Sequence, residues 1–238
     1  MLSFDTDFEA GVVLPVDKPY GWTSSDVVRK LRVMLRRLGY RKIKVGHAGT
    51  LDPLATGLLL VCIGRATKQA DTLQAEEKEY VARIELGATT PSYDLEHPVD
   101  ERFPYEHITQ ENVEAALQKM TGEQDQLPPV YSAKQIEGKR AYEYAREGVE
   151  VELRTARVNI HEMCLLSFEL PVIEVLVRCS KGTYIRSLAR DIGLELGSGG
   201  HLVALRRTRS GSHLADEAYT LDQLETLFAP SRRDTPDF

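Results

Sequence analysis

Asp52 lies in the segment GHAGTLDPLATG, residues 46–57, which holds three glycines and one proline in twelve positions. Glycines on both sides let the backbone approach a ligand closely and reach positive φ. Pro53 biases Asp52 itself toward an extended conformation. An aspartate in a glycine-rich turn often does no more than form the turn. This segment, however, is richer in glycine than a two-residue turn requires, and it leads into the wholly apolar run LLLVCI, residues 58–63. A carboxylate anchored at the end of a buried strand is well placed for chemistry. No second acid stands near it in sequence of the kind that glycoside hydrolysis by paired carboxylates needs. HExxH, cysteine-cluster and phosphate-loop motifs, the common signs of a metal or cofactor site, are missing as well.

A partner for such a site can be read from charge. The 238-residue chain carries a formal charge of −6, but its cations are gathered. Segment 29–44 holds Arg29, Lys30, Arg32, Arg36, Arg37, Arg41, Lys42 and Lys44 with no acid among them, and Arg206, Arg207 and Arg209 form a second cluster. A local positive field can bind a phosphate backbone on an acidic molecule, although a solvated helix face is the plainer reading of the first cluster.

The elements that must position these residues follow from periodicity. VVLPVDK (12–18) reads as a short strand. TSSD supplies an N-cap for a helix starting near Thr23 or Ser24, with Val27, Leu31, Met34, Leu35 and Leu38 at helical spacing, Gly39 as its stop and most cations turned outward. Residues 46–57 read as a loop, LLLVCI as a buried strand, and GRATKQADTL as a short helix. In KEYVARIELG, Tyr80, Ala82, Ile84 and Leu86 alternate onto one face of a strand. A helix over 109–121 follows, capped by Thr109. QLPPVYSAKQIEGKRAYEYAREG passes from an extended stretch into a helix. Two long strands, a helix TYIRSLARDIGLELG, a strand HLVALRRTRSGSH and a small helix DQLETLF complete the chain. Without regular βαβ alternation, the expected class is α+β around a mixed or antiparallel central sheet flanked by helices. Cys62 and Cys179 lie in apolar runs and read as core residues. An odd number of cysteines with no signal peptide suggests free thiols in a reducing cytoplasm, and no apolar run approaches the ~18 residues of a membrane helix.

Several of these segments together resemble the TruB family of tRNA pseudouridine synthases. GHAGTLDPLATG is similar to the family's signature loop, and DKPYGWTSSD (17–26) to its KPxGxTS segment. KEYVARIELGATTPSYDLE is similar to the motif carrying the active-site tyrosine. PPVYSAKQIEGKRAYEYAREG, KGTYIRSLARDIG and HLVALRRTRSG resemble three further motifs, so that the likeness spans residues 17 to 211 in order. It implies a pseudouridine synthase fold and isomerisation of uridine-55 in the T loop of tRNA, without cofactor or metal; a monomeric cytoplasmic enzyme with no obligate protein partner is the default expectation beside it. The resemblance makes Asp52 the nucleophile and Arg186 the guanidinium that keeps it ionised. Tyr80 is expected to stack on the uracil and is a candidate to take the C5 proton, while Leu205 closes the apolar side of the base pocket. Tyr184 is a candidate hydrogen-bond partner near the nucleophile. His47 is expected to enter the T loop beside flipped bases, because chemistry on a base needs it out of the stack. Lys134, Arg140, Arg206 and the arginines of 29–41 are expected at phosphates. Taken alone, Tyr80 would be a core tyrosine and Arg186 an exposed helical arginine.

Two departures qualify the likeness. Only 27 residues follow Gly211, too few for the PUA-type domain that many family members carry, so a single catalytic domain over residues 1–238 with a short tail at 212–238 is expected. Lys134 follows YSA directly, where the family often has an intervening residue. A guided synthase of the H/ACA type and a non-catalytic tRNA chaperone are the alternatives.

Overall fold

The computed structural model describes residues 6–131, 135–136, 139–140 and 153–229. In chain order the first elements are β1 (Val12–Lys18), α1 (Ser24–Arg37), β2 (Val45–Ala48), β3 (Ala55–Ile63) and α2 (Ala70–Ala75). Then come β4 (Lys78–Leu86), β5 (Ala88–Thr89), β6 (Glu101–Arg102), α3 (Gln110–Lys119), β7 (Gly122–Gln126), β8 (Gln135–Ile136) and β9 (Lys139–Arg140). The last are β10 (Ala156–Glu169), β11 (Val172–Cys179), α4 (Ile185–Glu195), β12 (Gly200–Ser210), β13 (His213–Leu214) and α5 (Leu221–Leu227). This is the expected α+β class, with mostly antiparallel pairing. The helix expected after QLPPVYSAK lies outside the described residues. Contacts divide the chain into two units, Met1–Glu76 with Arg206–Phe238, and Glu77–Leu205.

In the first unit β3 is central. β1 pairs antiparallel along its whole length, from Val12 opposite Ile63 to Lys18 opposite Gly57, and β2 pairs with it from Val45 opposite Ile63 to Ala48 opposite Leu60. A strand enclosed in this way has to be apolar on both faces, which accounts for LLLVCI. Leu59, Val61 and Ile63 join a core with Val27, Leu31 and Leu35 of α1. Leu58, Leu60 and Cys62 point the other way, onto Ala48, Ala66 and Ala215. Each buried leucine contributes roughly 1.5–3 kcal/mol. The stretch after Gly211 is more than a tail, since Leu221, Leu224 and Phe228 complete the α1 core. α1 begins as the sequence predicts: Thr23 and Asp26 form a reciprocal capping box.

The predicted loop is shorter than its composition suggests. Gly46 lies in β2 and Gly57 in β3, leaving 49–54 between the strands. The reason at Gly57 is a close approach rather than a turn. Its φ is +98°, and a Cβ there would lie 2.3 Å from the Arg207 carbonyl oxygen.

In the second unit the strand order is β12 (as far as Leu205), β4, β11, β10, β7. β4 and β11 run antiparallel with Tyr80 opposite Val177, and Tyr80, Ala82, Ile84 and Leu86 are buried on one face as the alternation predicts. Cys179 lies at the end of β11, where burial pushes its thiol up to about 11. Burial raises the Cys62 thiol too, whereas Cys164 is exposed. In the native protein one thiol per chain, Cys164, is therefore expected to react with a disulfide reagent at pH 8, and all three after denaturation. Fast reaction of a second thiol without unfolding would contradict the burial of Cys62 and Cys179.

Candidate active site

The short segment carrying Asp52 is anchored at nearly every residue. Ser24, the first residue of α1 and itself buried, grips Leu51 from both sides: its Oγ accepts from Leu51 N (2.9 Å) and donates to Leu51 O (3.1 Å). Lys18 closes β1 with a fully buried side chain. Its Nζ donates to the carbonyls of Trp22 (2.6 Å), Pro19 (3.1 Å) and Pro53 (3.3 Å). Gly21 N also donates to Pro53 O, and Ala55 N to Asp52 O. From β12, Arg207 donates to Gly49 O and Leu58 O. Asp52 is held in this frame half-buried, between the anchored residues 51 and 53.

Two buried cations thus lie under one carboxylate-bearing loop. Burial lowers the Lys18 ammonium to about 8, with Asp52 pulling the other way and Arg207 adding to the fall. It remains charged at neutral pH. His47, half-buried on β2 opposite Val61, has its pKa lowered by burial and then by Arg207, so its imidazole is neutral near pH 7. Its Nδ1 has no hydrogen-bond partner among the described residues.

The second unit holds the other predicted residues. Arg186, in the first turn of α4, is 5% exposed, which excludes the exposed helical arginine. It donates to Tyr131 O (2.9 Å) and Ser92 O (3.3 Å), and Asp94, also buried, lies 3.6 Å from its Nε. Tyr184 caps α4 and exchanges two hydrogen bonds with the Gln126 side chain through its backbone N and O. Tyr80 is 9% exposed on β4, and Leu205 is half-buried on β12.

The expected phosphate contacts fare unevenly. Lys134 lies outside the described residues, and Arg140 is described only as a backbone position of β9 opposite Gln135. Arg206, half-exposed, donates to both oxygens of Asp17 at 3.0 Å, a bidentate ion pair. Arg207 is 1% exposed, so the second cationic cluster is not a surface field: successive strand residues point to opposite faces. On α1, Arg29 pairs with Asp26, Lys30 with Glu225, and Arg32 donates to Val45 O, while Arg36 and Arg37 at its end and Arg41, Lys42 and Lys44 beyond it are exposed. Lys18, Ser24, Arg207 and Asp94 received no role from the sequence. Two of them stand in the KPYGWTSS segment, where the motif was the available signal.

Comparison with known proteins identifies the family. Residues 36–185 match the N-terminal domain of the TruB family of pseudouridylate synthases, and residues 186–236 match the C-terminal domain of tRNA pseudouridylate synthase B. The chain is similar to the tRNA pseudouridine synthase B of Parabacteroides distasonis, at 55% identity over 92% of this chain and 94% of that relative. The corresponding protein of Thermobifida fusca is 47% identical over 92% of this chain and 75% of its own length. Among solved structures, a chain of a Cbf5-Nop10-Gar1 complex superposes with a TM-score of 0.71 at 30% identity, over 93% of this chain and 55% of that one. An H/ACA RNP bound to a substrate RNA containing 2′-deoxyuridine gives 0.66 at 29%, over 90% and 52%. With both family domains matched over residues 36–236, the chain belongs to the TruB family of pseudouridylate synthases.

Proposed function

We propose that the chain isomerises uridine-55 in the T loop of tRNA to pseudouridine, with Asp52 as the nucleophile. The observation that carries this reading is the rigid mount of Asp52, a half-exposed carboxylate on a loop fixed at residues 49, 51, 53 and 58 above two buried cations. The tRNA substrate is inferred from the relatives named tRNA pseudouridine synthase B. In the reaction the C1′–N1 bond breaks, the uracil turns, C5 bonds to C1′, the C5 proton departs and N1 takes up a proton. Redox state and atom count are unchanged, so no cofactor or metal enters the scheme.

In this reading Arg186 supplies charge to the nucleophile, Tyr80 stacks on the uracil and is the candidate acceptor of the C5 proton, and Leu205 walls the base pocket. Tyr184 steadies the same region. His47, neutral and with Nδ1 unengaged, takes the space left by a flipped base. Exposed Arg36, Arg37 and Arg41 of the first cluster contact phosphates together with Lys134 and Arg140, giving affinity rather than sequence choice. The enzyme acts in the cytoplasm as a monomer.

Release of tritium from 5-³H-uridine in an unmodified T-arm hairpin, with no guide RNA added, is the direct test. Release approaching one equivalent per hairpin supports the proposal. Tight binding without release favours the chaperone, and release only when a guide RNA is supplied favours the H/ACA type, whose structures the chain resembles.

A further inference from the structure

We propose that Arg207 is a positioning residue for the reaction, its buried guanidinium setting the two ends of the segment that carries Asp52. The inference rests on Asp52 being the nucleophile.

Arg207 Nε donates to Leu58 O at 2.7 Å and its Nη2 to Gly49 O at 3.1 Å. Gly49 stands three residues before Asp52 and Leu58 six after it. One planar group therefore fixes the separation of both flanks of the loop. A lysine, with a single tetrahedral ammonium, cannot reproduce that fork.

The local backbone brings the loop and the arginine's own strand close together. At Gly57, φ is +98° and a Cβ would meet Arg207 O at 2.3 Å and Arg207 N at 2.9 Å, so the two strands approach more closely than any other residue permits. Gly49, with φ +93°, turns its carbonyl onto the guanidinium.

The choice of residue also argues for more than filling. A buried charge costs stability unless it is paired or hydrogen-bonded. Both described partners of this guanidinium are neutral carbonyls, and a methionine of similar volume would fill the space without desolvation. What the guanidinium adds is directional geometry and a positive charge, and the charge also acts on Lys18 and His47. Ser24 at residue 51 and Lys18 at residue 53 fix the inner part of the loop, and Arg207 fixes its outer part. Without Arg207 the loop ends can drift, and a displacement of about 1 Å at a reacting group can cost roughly 100-fold in rate.

The test uses full-length Arg207→Met, Arg207→Lys and, as reference, Asp52→Asn. Single-turnover tritium release, hairpin affinity and thermal melting are measured on each. Arg207→Met is expected to melt cooperatively, bind the hairpin within about threefold of wild type, and react about 100-fold more slowly, with Arg207→Lys roughly 10-fold slower than wild type. A residue that only supports the fold would lower the melting temperature while its folded fraction reacted at the wild-type rate. That result overturns the proposal, as does a parallel loss of affinity and rate. If Arg207→Met fails to fold, Arg207→Lys decides: a wild-type rate in the folded lysine variant overturns it. If Asp52→Asn itself reacts at the wild-type rate, the reading of the nucleophile falls and this inference with it. An inactive Asp52→Asn beside a fully active Arg207→Met removes only the role of Arg207.

Discussion

Replacing Asp52 with asparagine is expected to lower pseudouridine formation by at least about 10⁴-fold while hairpin affinity stays within about threefold of wild type. Asparagine keeps the size and shape of the side chain but carries no charge to attack a carbon. The loop should survive the change, because its anchors reach backbone atoms: Arg207 holds Gly49 O, Ser24 holds the N and O of Leu51, and Lys18 holds Pro53 O. The substitution therefore separates chemistry from binding in a way that removing an anchor would not. A rate within 10-fold of wild type would place the nucleophile elsewhere, since general acid–base assistance alone contributes only about 10²–10⁴-fold. Loss of hairpin binding together with rate would instead make Asp52 a recognition residue.

How much of this arrangement is legible in the sequence depends on the range of the interaction. Thr23, Asp26 and the spacing of Val27, Leu31, Met34 and Leu35 define α1 because caps and helical faces are local. The buried face of β4 is legible for the same reason, as period-two alternation places Tyr80 with Ala82, Ile84 and Leu86. The ends of the loop that carries Asp52 are not. Gly46 and Gly57 look like loop glycines, yet they lie within strands, and what fixes Gly57 is its approach to a backbone 150 residues away in sequence. Strand register decides such contacts, and composition does not encode register.

The paired arginines show the same limit at higher resolution. Arg206 and Arg207 are adjacent and chemically identical, and a count of charge treats them alike. In β12 they face opposite ways: Arg206 meets Asp17 at a half-exposed surface, and Arg207 enters the interior to hold two carbonyls. Arg186 and Asp94 make a related point. The family motif points to the arginine, but its buried neighbour, 92 residues earlier, lies in a motif of which only the tyrosine was singled out. Sequence motifs point to the proposed nucleophile, and the fold supplies the groups that hold its loop.

Lys18 gives the second large effect, through the dependence of stability on pH. Its folded value of about 8 lies below its ordinary value of 10.5, chiefly through burial. Below pH 8 both folded and unfolded chains carry the proton, and the folded state bears the full cost of a buried ammonium. Between about 8 and 10.5 the unfolded chain binds more protons, so stability rises with pH, by about 1.4 kcal/mol per unit or on the order of 3 kcal/mol in all. Cys179 acts in the opposite sense: its thiol is raised from 9.0 to about 11, so the folded state holds the extra proton and stability falls across that interval. In the wild type the two slopes oppose each other above pH 9. Lys18→Met removes one of them. Urea unfolding from pH 7.5 to 10.5 should then show a variant whose stability, measured against wild type, drops progressively as pH rises, by on the order of 3 kcal/mol over the range. A constant difference between the two proteins across that range would mean that Lys18 titrates at its ordinary value and that its three carbonyl partners offset the whole cost of burial. Because those partners include Pro53, next to Asp52, the same series assayed for tritium release asks whether the ammonium or only its bulk holds the loop. A wild-type rate in a folded Lys18→Met would assign the positioning of residue 53 to the Gly21 N–H alone.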